Sequence, residues 1–306
     1  MSYVCKDRGT ESCPCILMET GQCYTCSIFK TGKCDCLPGW QGVCPFAEYY
    51  QADEKIFEVK PKTFEVIERK DYSDKLKAFT LETSAGFALK CKEMGTFLMI
   101  HIQSFSLPLS VVQSHIAGGK GYVQLSFYIT GPKTKRLNEA CVEGSVLEVE
   151  GPFTNGLINS ELFMYGKPTM VVAKGIAIMP FINQKDRIKD YLMKVYLDAD
   201  KLTDEFVQDY LGDIALFTAD LRRDGESIIK EVVNTDMTGT NVLFMTSPYY
   251  VNQLFKVCGG LTSKIIYPNH SNMCCGRGVC GACSFTDEYG ITVKQCKCNK
   301  GIKKEA

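Results

Sequence analysis

Cysteines are the residues of this sequence whose type and spacing most directly indicate chemistry, and there are 17 of them. Near the C-terminus, Cys275, Cys280 and Cys283 are separated by four and then two residues, and Cys296 follows. Three thiolates at this spacing on a glycine-rich loop, with a distant fourth, are typical of a plant-type 2Fe-2S cluster. A zinc site is the alternative, but four-cysteine zinc sites usually combine two C-x2-C-like knuckles. We therefore expect a 2Fe-2S cluster, with Cys298 competing with Cys296 as the fourth ligand.

A second cysteine pattern occupies the first 44 residues. Its eight cysteines are separated by seven, one, seven, two, seven, one and seven residues, which is nearly mirror-symmetric. Eight thiolates suffice for two four-cysteine sites, and thiolates select iron-sulfur clusters or zinc. The stretch has little apolar content, so a metal would have to supply the folding free energy. The spacing leaves iron-sulfur and zinc both open. The expected ligands are Cys5, Cys13, Cys15, Cys23, Cys26, Cys34, Cys36 and Cys44.

Length and charge limit the possible classes of protein. A chain of 306 residues allows two or three compact units. Lysine plus arginine equals aspartate plus glutamate at 35 each, which disfavours nucleic acid as a partner. No stretch approaches the roughly 20 apolar residues of a membrane span, and no secretion signal is recognisable. Clustered cysteines in such a chain indicate metal ligands rather than disulfides. We expect a cytoplasmic protein in a reducing, even anaerobic, setting.

The elements that must position the cysteine motifs begin with short β-strand-like runs between about residues 55 and 164. Short alternating strands at this spacing predict a small antiparallel barrel. The runs are 64–67, 78–81, 97–102, 122–129 and 146–150.

After residue 164 the pattern changes to strand, helix, strand. Continuous apolar runs at 169–173, 214–218 and 242–246 predict strands buried on both faces. Apolar residues at helical spacing lie between them, and such an alternation predicts a parallel, doubly wound α/β domain. The two helical stripes are Ile188, Tyr191, Leu192 and Val195, and Ile228, Ile229, Val232 and Val233.

Three short segments and the C-terminal cysteine motif give a specific resemblance over roughly residues 55–300. The segments are Pro108-Leu109-Ser110-Val111, the G-x-K-T sequence of Gly131, Lys133 and Thr134, and the G-P-x-x-N-G-L sequence that begins at Gly151. In this order the chain resembles the ferredoxin reductase-like electron-transfer subunit of dihydroorotate dehydrogenase and its sulfide dehydrogenase-like relatives. The resemblance implies an FAD-binding barrel, with the first segment along the flavin, then a nucleotide-binding domain and a 2Fe-2S module.

The Gly131 segment also has an interpretation from its own residues. Gly131 before Thr134 at a helix start presents backbone N–H groups and a hydroxyl to a pyrophosphate, where the helix dipole favours negative charge. A capped turn with a solvated basic face is the alternative. Because a second phosphate needs such a site, the segment favours FAD over FMN.

The nicotinamide site departs from the resemblance. The relatives have a glycine-rich turn after the first α/β strand, whereas this chain keeps only Gly175 there. Loss of glycine restricts the approach of a phosphate to the backbone. Lys174 could compensate as a point charge. We expect NAD(P)H to reduce the flavin weakly, or only within an assembled complex.

The predicted organisation is a metal-binding module at 1–50, an FAD barrel at 51–164, an NAD(P)-binding-like domain at 165–262 and a 2Fe-2S module at 263–306. The expected function is an oxidoreductase subunit that passes electrons between NAD(P)H or a partner's redox centre, FAD and iron-sulfur clusters. Other redox subunits and ferredoxin are the expected partners. Two alternatives stay open, namely a relay without a nicotinamide site and a zinc-stabilised adaptor.

Overall fold

The computed structural model describes residues 61–103, 105–236, 238–258, 264–269, 283–286 and 292–294. The first part is a closed antiparallel barrel with strand order β1-β2-β5-β4-β3-β6, which confirms the predicted barrel. Helix α1 (Ala85–Lys90) follows β2, and α2 (Pro132–Ala140) follows β5. The strands are β1 (Lys62–Asp71), β2 (Leu76–Ser84), β3 (Phe97–Ile102), β4 (Phe105–Ala117), β5 (Lys120–Tyr128) and β6 (Val146–Phe153).

Alternation along the strands fills the barrel. In β3, Leu98 and Ile100 face inward and are fully buried, as are Val123 and Leu125 in β5. Strand β6 continues beyond the predicted run because a register shift opposite β3 places Gly151 and the following proline in a bulge. A bulge tolerates proline inside a sheet, since no ladder donor is required there.

The second part is a six-stranded sheet with order β10-β9-β8-β11-β12-β7. All neighbours are parallel except β7, which pairs antiparallel with β12. Strand β8 lies between β9 and β11, so the chain winds outward in both directions from it, and the topological switch point lies between β8 and β11. The strands are β7 (Leu157–Ile158), β8 (Thr169–Lys174), β9 (Leu192–Asp198), β10 (Phe217–Thr218), β11 (Asn241–Met245) and β12 (Ile265–Pro268). The helices are α3 (Met179–Ile182), α4 (Lys185–Ile188), α5 (Asp204–Leu211), α6 (Leu221–Asn234) and α7 (Pro248–Cys258).

Two sequence expectations for this sheet were wrong. The stripe from Ile188 to Val195 is not a helix, because a short 3-10 turn ends at Tyr191 and β9 begins at Leu192. Over so short a window, residues at strand spacing also satisfy part of a helical pattern. The run 214–218 is not a buried strand either. Only Phe217 and Thr218 pair, at the exposed edge of the sheet. The stripe in α6 is confirmed, with Ile228, Ile229 and Val232 buried.

Contacts between the barrel and the α/β part hold the two against each other. Tyr72 at the end of β1 packs on Phe206 of α5 with ring centroids 5.0 Å apart. Its hydroxyl donates to Asp209 at 2.7 Å, and Lys70 Nζ lies 2.6 Å from the same carboxylate. These contacts hold the end of β1 against α5.

The predicted metal ligands lie mostly outside the described residues. These are the eight N-terminal cysteines together with Cys275, Cys280 and Cys296. Cys283 is buried and directly precedes β13 (Ser284–Thr286), which pairs antiparallel with β14 (Thr292–Lys294). Within the described ranges, no three metal-ligating side chains converge, and no helix is long and apolar enough to span a membrane.

Candidate cofactor cleft

A cavity of about 570 Å³ lies between the barrel and the carboxyl ends of the parallel strands, and we call it the barrel cleft. Its volume falls in the range of small-molecule and cofactor sites. The sheet side is formed where β8 and β11 end, which is the switch point where open α/β sheets bind ligands. The barrel side is lined by Pro108, Leu109 and Ser110 of β4, Ser126, Phe127 and Tyr128 of β5, and Thr130 and Thr134 near α2.

The barrel side of the cleft is a gap between two strands that pair elsewhere. Strand β4 pairs with β5 from Val111 onward. Among the described residues, no residue of β4 that precedes Val111 pairs with β5. Residues 105–110 pair with β3 instead, and the end of β5 pairs with β2. A flat ligand therefore has access to the unpaired edges of both strands.

Backbone groups of β4 point into this gap. Val111 donates its N–H to the Thr96 carbonyl at 3.1 Å, so its backbone groups face the β3 side. The backbone groups of successive residues alternate in direction along an antiparallel strand, so the backbone groups of Pro108 and Ser110 face away from β3. Proline is tolerated at 108 because the ladder needs no donor there. The Ser110 N–H and the Pro108 carbonyl thus offer one donor and one acceptor to a ligand.

The start of α2 closes one end of the cleft. Gly131 is the N-cap, and the Thr134 hydroxyl accepts the N–H groups of Thr130 at 2.9 Å and Gly131 at 3.1 Å. Lys133 and Thr134 lie in the first turn of the helix, so their N–H groups have no acceptor within the helix. Lys133 Nζ donates to the Ser106 carbonyl at 3.3 Å. This helix start is suited to an anionic group.

The turn after β8 forms the sheet side. Gly175 has φ +52°, a left-handed conformation that favours glycine. The side chains of Ile176 and Ala177 line the cleft next to it. Lys174 is not free to reach a ligand, because its ammonium lies 2.5 Å from Asp198 and 3.7 Å from Asp200.

Asp198 joins three elements at this point. Besides Lys174, one of its oxygens accepts the N–H of Leu221 at the start of α6, and the other accepts that of Asp200. The carboxylate is 9% exposed, so the ion pair is shielded from water. Lys174 therefore has a structural role: its ammonium group pairs with Asp198 at the carboxyl ends of β8 and β9.

Tyr128 provides a shielded polar atom at the cleft. Its hydroxyl is buried, and within the described part of the chain it has no hydrogen-bond partner. Burial, and secondarily the charge of Asp200, raises the pKa of this hydroxyl, so it keeps its proton at neutral pH. A buried unpaired hydroxyl costs about 1–3 kcal/mol, which a hydrogen bond to a ligand would offset.

The structure brings together five of the nine cofactor residues expected from the sequence, namely Pro108, Leu109, Ser110, Thr134 and Gly175. The other four lie outside the lining. Val111 is fully buried in the barrel, Gly131 and Lys133 flank the cleft at α2, and Gly151 lies in the β6 bulge.

Sequence analysis missed the contribution of β5 and β9. Ser126, Phe127 and Tyr128 line the cleft because β5 diverges from β4, and Asp200 and Lys201 do so because β9 ends beside β8. No local motif marks these residues. Ser247 and Pro248, which follow β11, also line the cleft.

Comparison with known proteins supports the architecture. No protein-family model and no curated protein matches this sequence. Among solved structures, the chain is similar to an NADH-dependent reduced ferredoxin-NADP oxidoreductase studied for flavin-based electron bifurcation. The TM-score is 0.56 at 18% identity, over 76% of this chain and 85% of the other.

The chain has the fold of the ferredoxin reductases. The reductase of carbazole 1,9a-dioxygenase matches with a TM-score of 0.51 at 14% identity, over 67% of this chain and 66% of that one. Phthalate dioxygenase reductase, described as transferring electrons from pyridine nucleotides to [2Fe-2S], matches with a TM-score of 0.50 at 15% identity, over 65% and 64%. In this chain the barrel cleft lies where the barrel faces the parallel sheet.

Proposed function

We propose that this chain is an electron-transfer oxidoreductase subunit that binds FAD in the barrel cleft and exchanges electrons with iron-sulfur clusters. The observation that carries the proposal is the β4–β5 gap opposite the sheet's switch point. It combines a flat slot, unpaired backbone groups and a helix start suited to phosphate. We assign residues 51–164 to the FAD barrel and 165–262 to the nucleotide-type domain.

The residues of the cleft fit the parts of FAD. Tyr128 and Ile176 supply apolar surface for a flat ring, while Ser110 and Pro108 offer backbone groups to its polar edge. Thr134 and the first turn of α2 suit the pyrophosphate. Bound FAD would supply two-electron and one-electron transfer, and the chain positions it without acid-base chemistry of its own.

The relay alternative has a specific observation in its favour. Lys174 is held by Asp198, and the turn at Gly175 is lined by side chains instead of glycines. The ammonium group of Lys174 is already paired with Asp198, so it would not neutralise a pyrophosphate near this turn. Weak reduction by NAD(P)H, with faster electron delivery from a partner subunit, follows from this arrangement.

For the C-terminal region at 263–306 we propose a 2Fe-2S module ligated by Cys275, Cys280, Cys283 and Cys296. The spacing supports the cluster type. For residues 1–50 we propose further metal sites, in which iron-sulfur is favoured over zinc because the remainder of the chain is assigned to electron transfer. The partners we propose are other redox subunits of a cytoplasmic complex and ferredoxin.

Flavin and metal analysis tests the proposed function. The full chain, purified anaerobically, should show flavin absorption near 450 nm, and acid-released flavin should run as FAD on chromatography. Iron and sulfide should be present together. Recovery of FMN alone would reject the pyrophosphate assignment, and zinc without flavin would favour the adaptor alternative.

The cluster is tested separately. Replacing Cys280 with serine should abolish the reduced-state EPR signal of the 2Fe-2S cluster, because one thiolate is lost from the loop. Cys296→Ser and Cys298→Ser distinguish the two candidates for the fourth ligand. An unchanged signal in Cys280→Ser would rule out the assigned ligand set.

A further inference from the structure

The C-terminal end of α2 is held by an arginine from the first strand of the barrel. Arg69 of β1 donates from Nη1 to the carbonyls of Asn138 and Cys141, each at 2.8 Å. Its Nη2 donates to the side-chain oxygen of Asn138 at 2.7 Å. The arginine side chain is 18% exposed, so these bonds are largely shielded from water. Arg69 therefore ties β1 to the last turn of α2.

These bonds supply what the end of the helix lacks. The last carbonyls of a helix have no donor within it, and the helix dipole makes this end partly negative. A basic side chain in the last turn often meets both needs, but residues 137–140 of α2 include none. The guanidinium of Arg69 provides the donors and the positive charge instead. Because its donors form a rigid planar fork, it restrains direction as well as distance.

The arginine is itself restrained. Its Nε donates to Asp71 at 2.8 Å, and the same carboxylate lies 2.7 Å from the ammonium of Lys77, whose side chain is 9% exposed. Leu137 is the one residue of α2 that is buried, and it packs in the barrel core. Core packing alone thus anchors the helix at one point. The contacts of Arg69 add a second point and so fix the tilt of the helix.

The opposite end of α2 is the helix start at the barrel cleft, where Thr134 belongs to the lining. A helix of nine residues is about 14 Å long, so Arg69 lies too far from this end to touch a ligand there. A change of tilt about Leu137 would nevertheless move the first turn relative to the cleft. Arg69 can therefore act on the cleft only through the helix.

We propose that Arg69 is a positioning residue for the cofactor phosphates, because it fixes α2 so that the N–H groups of the first turn face the barrel cleft. The proposal rests on the proposed function, since it takes FAD as the ligand of that helix start. Strand β1 is suited to this role because Lys70 and Tyr72 bind Asp209 of α5. The end of one strand therefore holds a helix of each part of the molecule.

Hydrogen–deuterium exchange of the full chain without flavin tests the link from Arg69 to α2. Arg69→Ala should speed exchange of the α2 amides roughly ten-fold, because the helix end loses charged donors. Arg69→Lys keeps the charge without the fork and should restore part of the protection. Lys77→Met is the matched control, because it removes a shielded cation from the same Asp71 without touching α2. Unchanged exchange in Arg69→Ala overturns the proposal.

Flavin titration of the apoprotein tests the consequence for the cofactor, because riboflavin has the same ring as FAD but neither phosphate. Arg69→Ala should raise the dissociation constant of FAD roughly ten-fold and that of riboflavin by less than about two-fold. Lys77→Met should leave the ratio of the two constants unchanged even where it lowers the melting temperature. Equal weakening of both flavins by Arg69→Ala overturns the positioning role.

The two measurements separate this proposal from the proposed function. A wild-type chain that binds neither flavin rejects the proposed function. The exchange measurement needs no flavin, so it still decides whether Arg69 fixes α2.

Discussion

At the scale of single residues, the turn after β8 depends on Gly175. Its φ of +52° is costly for residues with a Cβ. Gly175→Ala should lower the free energy of unfolding by about 1–2 kcal/mol, measured by urea denaturation. Gly86 in α1 is the control, because a Cβ there meets nothing within 4 Å. Gly86→Ala should be neutral or stabilising by at most about 1 kcal/mol. Equal effects would contradict the conformational explanation.

Thr134 is a second residue-scale test. Its hydroxyl accepts two backbone N–H groups at the edge of the cleft. Thr134→Ala leaves those donors without their acceptor and should reduce FAD affinity, measured by fluorescence titration of the apoprotein. Thr134→Ser keeps the hydroxyl and should restore most of the affinity. If the alanine and serine variants bind equally, the hydroxyl has no role in holding the cofactor.

At the scale of elements, α5 joins the sheet to the barrel through a buried ring. Phe206 is fully buried and packs on Tyr72 and Tyr210, with centroids at 5.0 and 4.5 Å. Phe206→Ala should cost about 3–5 kcal/mol of unfolding free energy. Phe217→Ala, on the exposed edge strand β10, removes the same ring where it is 48% exposed. That control should cost far less, and a comparable loss would contradict the assigned packing.

The same junction predicts a pH dependence. Hydrogen bonds from Lys70, and then Tyr72, hold the pKa of Asp209 below its usual value. A carboxyl with a lowered folded-state pKa contributes stability above its unfolded pKa of about 4, and that contribution is lost as pH falls through the folded-state pKa. Asp209→Asn should therefore reduce the stability difference between pH 6 and pH 3 in denaturant titrations. Asp186→Asn, an exposed α4 carboxylate with no ion pair among the described residues, should change it less.

At the scale of the whole molecule, the placement of the two parts determines how a nicotinamide nucleotide would meet the flavin that we propose for the barrel cleft. With Lys174 neutralised by Asp198, we expect micromolar NADH to reduce the flavin of the isolated chain slowly in stopped-flow experiments. Partner subunits should accelerate the reduction. Rapid reduction of the isolated chain would contradict the weakened site, and no reduction even with partners would establish the relay alternative.

The sequence by itself determined the barrel, the parallel sheet and the stripe of α6, because burial imposes periods of two and of 3.6 residues on local sequence. Through the family resemblance it also pointed to Pro108, Ser110, Thr134 and Gly175, which the structure places in the lining of the barrel cleft. It misassigned the segment around Leu192, since a short strand and a helix share apolar spacings.

Only the tertiary structure decided which side chains meet. Ser126 and Tyr128 line the cleft because β5 leaves β4, and Lys174 is neutralised because β9 places Asp198 beside β8. Gly225 and Tyr249 line one cavity although they are 24 positions apart in the sequence, because α6 and α7 pack side by side. These pairings follow from strand order and helix packing, which depend on contacts between distant segments and leave no pattern within any one of them.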